Sequence, residues 1–105
     1  MDIGFARQLK LNHLRLIAAI AEQGQLGLAA ATLAITQPAA SRMLSEIERI
    51  VGSQLFERHA KGMELTLIGR ALAHRAHSML LELRDLARDV EELKRGKVEW
   101  PLSAL

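Results

Sequence analysis

Residues Gly27 to Gly52 read GLAAATLAITQPAASRMLSEIERIVG. The alanine-rich first part, about Leu28 to Ala34, predicts a short helix whose small side chains let another helix approach closely. Leu33 and Ile35 are its apolar anchors. A second helix then starts at Thr36-Gln37-Pro38. The Thr36 hydroxyl can accept a first-turn N–H. Pro38 fits there because first-turn N–H groups have no helical partner. Ala40, Leu44, Ile47 and Val51 recur at i, i+4, i+7 and i+11 and mark a core face. Gln37, Ser41, Arg42 and Ser45, with Arg49 further on, lie on the opposite face. Gly52 ends the helix. The acids Glu46 and Glu48 fall in the later turns. The start of this helix therefore offers neutral donors, one Arg and the positive end of a dipole, while its end is more acidic. That polarity suits a helix that inserts its N-terminus into a groove of DNA, not one that lies along phosphates.

The N-terminal side supplies one more helix. Met1 to Lys10 lacks a clear period and reads as a frayed arm. A helix is expected from near Asn12, a good N-cap residue. Leu14, Ile17, Ala18 and Ala21 form one buried stripe, widened by Leu16 and Ile20. His13, at its start, reads as a partly buried helix residue. Gly24 ends the helix in the left-handed conformation. Gly24 to Gly27 form a turn from which Leu26 plugs the core.

On the C-terminal side, Leu55 to His59 and Met63 to Thr66 flank Ala60-Lys61-Gly62. The glycine sits where positive φ is tolerated, so a hairpin is expected. Leu55, Phe56 and Leu65 are candidates to close the core. Arg58 and Lys61 lie on or near the loop. A lone hairpin is marginal and must lean on the helices. Thr66 is a second strong N-cap. From Leu67 to Arg95 only Gly69, in the first turn, interrupts a helix roughly 43 Å long at about 1.5 Å per residue. Leu72, Ala76, Met79, Leu83, Leu86, Val90 and Leu93 alternate gaps of four and three, a heptad seam. Ala73, Leu80, Leu81 and Ala87 widen it near the head. A seam of this length implies a second chain, in a direction the heptads leave open.

Composition agrees with one globular domain. The chain has 105 residues, half of them hydrophobic, and no cysteine, so neither disulfides nor thiolate metal sites are expected. Its first ten residues carry no signal-peptide core, and no apolar run reaches membrane-spanning length. A cytoplasmic, nucleoid-associated protein with no membrane partner is the expectation. Residues 1–75 carry nine Lys/Arg against six Asp/Glu, whereas residues 76–105 carry five against six. A mildly basic head with a neutral, highly charged tail suits nucleic-acid contact at the head.

These elements predict a mostly α fold: a winged helix-turn-helix (three helices plus a two-stranded wing) over residues 9–66, followed by a long dimerisation helix over 67–95. Residues 96–105, with Trp100-Pro101, read as a hinge or the truncated start of a further domain. At this point the chain resembles the N-terminal domain of LysR-type transcriptional regulators. The resemblance rests on the Ala-Ala pair of helix two, Thr36-Gln37-Pro38-Ala39 with Ser41-Arg42, Glu48 and Gly52 running into Leu55-Phe56-Glu57-Arg58, and Leu65-Thr66 with Gly69. It covers about residues 9–95.

The resemblance implies sequence-specific double-stranded DNA binding, with the recognition helix in the major groove and the wing in the minor groove. Its contact positions fall on Thr36, Gln37, Pro38, Ser41 and Arg42 in the recognition helix and on Lys61 at the wing tip; Arg58, the other basic residue near the loop, joins Lys61 as a wing candidate by its charge alone. Gln37 suits adenine, Arg42 a guanine edge or a phosphate, and Pro38 a thymine methyl. Lys61 stands where the family often has Arg and lacks its planar fork. Gly27 stands where the family usually has a Ser or Thr that caps and contacts phosphate. Leu67-Ile68 replaces a commoner polar or Pro-containing entry, so a more buried first turn is expected. The resemblance further implies an imperfect palindromic promoter site, a homodimer through the linker helix, and a tetramer in full-length proteins. It implies no cofactor in this stretch, and a small-molecule effector bound by a C-terminal domain.

Two rival readings use the same residues. A helical protein-interaction or oligomerisation module without DNA binding would need an aromatic or Leu anchor beside Gln37, Ser41 and Arg42, and none is there. An enzyme would need a reactive constellation. His74 and His77, at i and i+3, could share a metal, but no third ligand stands at a suitable spacing. The serines have no His/Asp context, and no glycine-rich loop could cradle phosphate. No enzyme is expected.

Overall fold

A computed structural model describes residues 3–96; the Lys97 to Leu105 stretch, with its hinge reading, lies outside them. A 3-10 turn at Gly4–Gln8 precedes four helices and a hairpin: α1 Leu11–Gln23, α2 Leu26–Thr32, α3 Gln37–Val51, β1 Phe56–His59, β2 Gly62–Leu65 and α4 Leu67–Lys94. This is the winged helix-turn-helix with a trailing helix that the pattern predicts. The arm is therefore ordered into one turn at Gly4–Gln8, none of whose residues is buried.

The start of α1 differs from expectation. Its N-cap is Lys10, not Asn12. The Lys10 N–H donates to Nδ1 of His13 at 3.1 Å, so an imidazole three residues on does the capping. Asn12 instead accepts from Arg15 at 3.1 Å. His13 is only 3% exposed. With Nδ1 accepting, the ring proton sits on Nε2, which lies 3.6 Å from Oε2 of Glu46 on α3.

Helix α2 starts two residues earlier than expected, because Gln25 already takes the extended N-cap conformation. Leu26 does enter the core, but from the first helical position. The break to α3 is a Schellman arrangement. Ile35 N–H donates to the Ala30 carbonyl at 3.0 Å and Ala34 N–H to that of Ala31 at 3.1 Å. Ala34 holds φ +57 there, a left-handed conformation that costs an alanine about 1 kcal/mol. Gly24 and Gly52 end α1 and α3 with φ +73 and +83.

The core lies where these helices meet. Leu16, Ile17 and Ile20 of α1 pack with Leu26, Ala29 and Ala30 of α2 and with Ala40, Leu44 and Ile47 of α3. Leu55, Phe56 and Ala73 close it, and Val51 and Leu65 pack against its edge. Each large side chain so buried contributes about 1.5–3 kcal/mol.

The hairpin turn has two residues, Ala60 and Lys61, not three. Gly62 belongs to β2 and pairs with His59. It takes the positive φ, +141, and has a second reason to be glycine: a Cβ there would overlap the carbonyl oxygen of Gly24. Beside it, Met63 N–H donates to that same carbonyl at 2.8 Å. The wing is thereby clasped to the corner between α1 and α2.

Gly69 is also a close-approach glycine, since a Cβ there would run into the Leu55 carbonyl. The first turn of α4 is not more buried than usual. Leu67 is 85% exposed and Ile68 45%, because Gly69, Ala73 and Ala76 are the residues that α4 turns inward. Helix α4, at about 1.5 Å per residue roughly 42 Å long, sets the molecule's 51 Å longest dimension. Its first half packs on α1.

Candidate nucleic-acid interface

Helix α3 presents its N-terminus as the sequence predicts. Thr36 caps it, its Oγ1 accepting from Ala39 N–H at 3.2 Å, with Pro38 in the first turn. Thr36, Gln37, Pro38, Arg42, Ser45 and Arg49 are exposed and Ser41 is half-buried, while Ala40, Leu44 and Ile47 face the core. Seven predicted contact residues thus fall on two adjoining elements: five on the helix start, and Arg58 and Lys61 on the wing.

The wing residues divide. Lys61 is exposed in the turn. Arg58 reaches back to the helix, its Nη2 donating to Oγ of Ser41 at 3.3 Å. It bridges wing and recognition helix and does not project from the tip. Across the strands, Glu57 and Glu64 are partners, a like-charge pair that would weaken the hairpin if bare. His59 Nε2 stands 3.1 Å from Glu64 and 4.0 Å from Glu57.

The acids of α3 are placed in a way that helical periodicity does not reveal. Glu48 Oε2 accepts from Leu55 N–H at 2.7 Å. This bond ties the end of α3 to the start of the wing and gives the Glu-x-x-x-Gly spacing its purpose. Glu46 turns to His13. Both carboxylates thus have partners outside the Gln37–Ser41–Arg42 group.

Between the helix start and the wing lies a polar depression lined by Gln25, Gly27, Gln37, Arg58 and Lys61. Sequence patterning does not single out Gln25; its only signal is the position immediately before α2. Gly27 leaves room for the Gln37 amide, whose Oε1 would be 3.1 Å from a Cβ at position 27.

The seam residues also divide. Ala76 is 1% exposed and Leu72 half-covered, both taken up by the chain's own head. That removes Ala76 from any seam and limits Leu72, because the first half of α4 is covered by α1 before the heptads run free. Met79, Leu83, Leu86, Val90 and Leu93 are exposed. His74 and His77 are exposed on α4. Among the described residues no three His, Cys, Asp or Glu side chains converge as a metal site would require, and no helix is long and apolar enough to cross a membrane.

Comparison with known proteins agrees with this geometry. The family described as bacterial regulatory helix-turn-helix protein, lysR family, matches residues 11–70. The chain is 50% identical over 88 residues to the HTH-type transcriptional regulator GbpR of Rhizobium radiobacter, covering 82% of this chain and 29% of that protein. It is 40% identical over 86 residues to the uncharacterized HTH-type transcriptional regulator YdcI of Escherichia coli, covering 82% and 28%. The chain thus spans under a third of the length of these relatives. Among solved structures, the BenM DNA-binding domain in complex with catB site 1 DNA superposes with a TM-score of 0.81 at 27% identity, covering 89% of this chain and all of that one. The CbnR DNA-binding domain in its DNA complex superposes with a TM-score of 0.70 at 31% identity, covering 83% and 99%. Both of these sequence relatives are HTH-type transcriptional regulators. With its capped α3, its wing and the family match over residues 11–70, the chain belongs to the LysR family of bacterial regulatory helix-turn-helix proteins.

Proposed function

We propose that this chain binds double-stranded DNA sequence-specifically, as the DNA-binding domain and linker helix of a LysR-type transcriptional regulator. The start of α3 enters the major groove and the wing tip at Lys61 lies over the minor groove. One observation carries the reading: the exposed start of α3 has donors and Arg42 but no carboxylate, and the later acids Glu48 and Glu46 each have a partner, the Leu55 N–H and His13. Arg58 and Lys61 extend the same surface. The solved DNA complexes of similar domains support it.

In this reading Gln37 and Arg42 contact base edges, with Pro38 against a thymine methyl. Thr36, Ser41, Arg58 and Lys61 position the backbone. The exposed seam from Met79 to Leu93 pairs with a second copy, so the target is an imperfect palindromic promoter site. We assign no cofactor to the described residues. A small-molecule effector is left to a C-terminal domain of the kind the family carries, as is assembly to a tetramer. The cytoplasm, at the nucleoid, is the compartment this function requires.

Selection of bound duplexes from a random pool tests the proposal. An enriched two-part site is expected, bound more weakly as salt rises because phosphate neutralisation releases counterions. No binding at low salt overturns it and favours a protein-interaction module. Pairing has its own test. Leu83→Asp places a charge in the seam and is expected to give monomers by sedimentation; a persisting dimer puts the interface elsewhere.

A further inference from the structure

The contact between Gly27 and Gln37 couples two residues that no motif links. Gly27 is the second residue of α2 and Gln37 the first of α3. Both are exposed, and both line the depression beside Arg58 and Lys61. The Gln37 amide oxygen comes so close that a Cβ on residue 27 would sit 3.1 Å from it, with the amide carbon at 3.8 Å. This is tighter than ordinary van der Waals contact, so any side chain at 27 displaces the amide. Gly27 does not have positive φ. No backbone conformation therefore demands a glycine here, and in a helix alanine is the better residue. What the missing side chain provides is the place where the Gln37 amide rests.

We propose that Gly27 is a specificity-determining residue for DNA recognition that acts through Gln37: by leaving its Cβ site empty it lets the carboxamide lie back against α2, and this posture decides which base edge the carboxamide meets. The inference rests on the DNA-binding reading above. An amide discriminates adenine only when both its donor and its acceptor are in register with the base. A change of rotamer is enough to lose that register. Gly27 itself touches no base. Its effect is therefore confined to the base pair that Gln37 reads, unlike a phosphate contact, which affects all sequences alike.

The test is selection from a random duplex pool with the whole chain and three variants: Gly27→Ala, Gln37→Ala and the double variant. Thermal melting first checks that each folds; Gly27→Ala should melt no lower than the parent. The parent should enrich one site. Gln37→Ala should relax preference at one base pair in each half-site, by about tenfold, in the range expected for one bidentate base contact. Gly27→Ala should alter preference at that same base pair and nowhere else. The double variant should match Gln37→Ala alone, because the glycine has nothing left to position. A Gly27→Ala site identical to the parent's overturns the proposal. So does uniform weakening across all sequences, a change at a different base pair, or a Gln37→Ala variant with unaltered preference. If the parent enriches no sequence, the DNA-binding reading itself fails, a result distinct from all of these.

Discussion

Helices α3 and α4 both start behind a threonine. Thr36 accepts from Ala39 N–H at 3.2 Å and Thr66 from Gly69 N–H at 3.0 Å. There the likeness ends. The Thr66 hydroxyl also donates to the Gln54 carbonyl at 2.8 Å, and Thr66 N–H donates to that of Leu55 at 2.9 Å. Gly69 then lies against the Leu55 carbonyl with no room for a side chain. The start of α4 is bolted to the segment before the wing. The Thr36 hydroxyl donates to no carbonyl among the described residues, and Gln37 and Pro38 are exposed. A cap sets where a helix begins; the second hydrogen bond and the neighbouring backbone decide whether that beginning is anchored or left open to a ligand.

Substitutions can break this contrast, starting from the anchored end. Gly69→Ala forces a methyl group into the Leu55 carbonyl, which backbone cannot evade cheaply. A loss of about 3 kcal/mol or more is expected in denaturant unfolding. A loss below about 1 kcal/mol would show that α4 can slide. Thr66→Ala removes both a cap and a bridging hydrogen bond, and should cost about 2 kcal/mol by the same measurement. At the open end the effects move from stability to binding. Arg42→Ala should leave the melting temperature unchanged while reducing discrimination among duplexes by about 1–3 kcal/mol. An unaltered preference in competition binding would demote Arg42 to a phosphate contact or a bystander. In the free protein Thr36→Ala loses only the cap, and about 1 kcal/mol of stability is expected. Should Thr36→Ala destabilise as much as Thr66→Ala, the two starts are not different in kind.

Both threonines are legible in the chain because capping is local: a hydroxyl, then an N–H three residues on. The core face of α3 and the heptads of α4 are legible for the same reason, as each is a period along one helix. What periodicity misses depends on a second element. Gly62 and Gly69 look like turn or first-turn glycines, yet each is fixed by the carbonyl of a connecting segment distant in sequence. Glu48 reads as one more acid on a late turn until Leu55 N–H is seen to meet it. Asn12 is the better capping residue by type, but burial of His13 places an acceptor over Lys10 N–H instead. Ala76 fits the heptads by spacing, and the head has already covered it. The candidate contact residues were readable from Thr36 to Arg42. Arg58's lean toward Ser41, and Gly27's accommodation of Gln37, required three dimensions.

The clasp between Met63 N–H and the Gly24 carbonyl has a thermodynamic consequence for whatever duplex the wing meets. A free hairpin of two four-residue strands would have to be ordered as it entered a groove, and its lost entropy would be charged against affinity. Here that ordering is complete before any encounter, set by the fold of the α1–α2 corner. Association should therefore show a heat-capacity change no larger than the surface it covers requires, without the added contribution of a segment that folds on arrival.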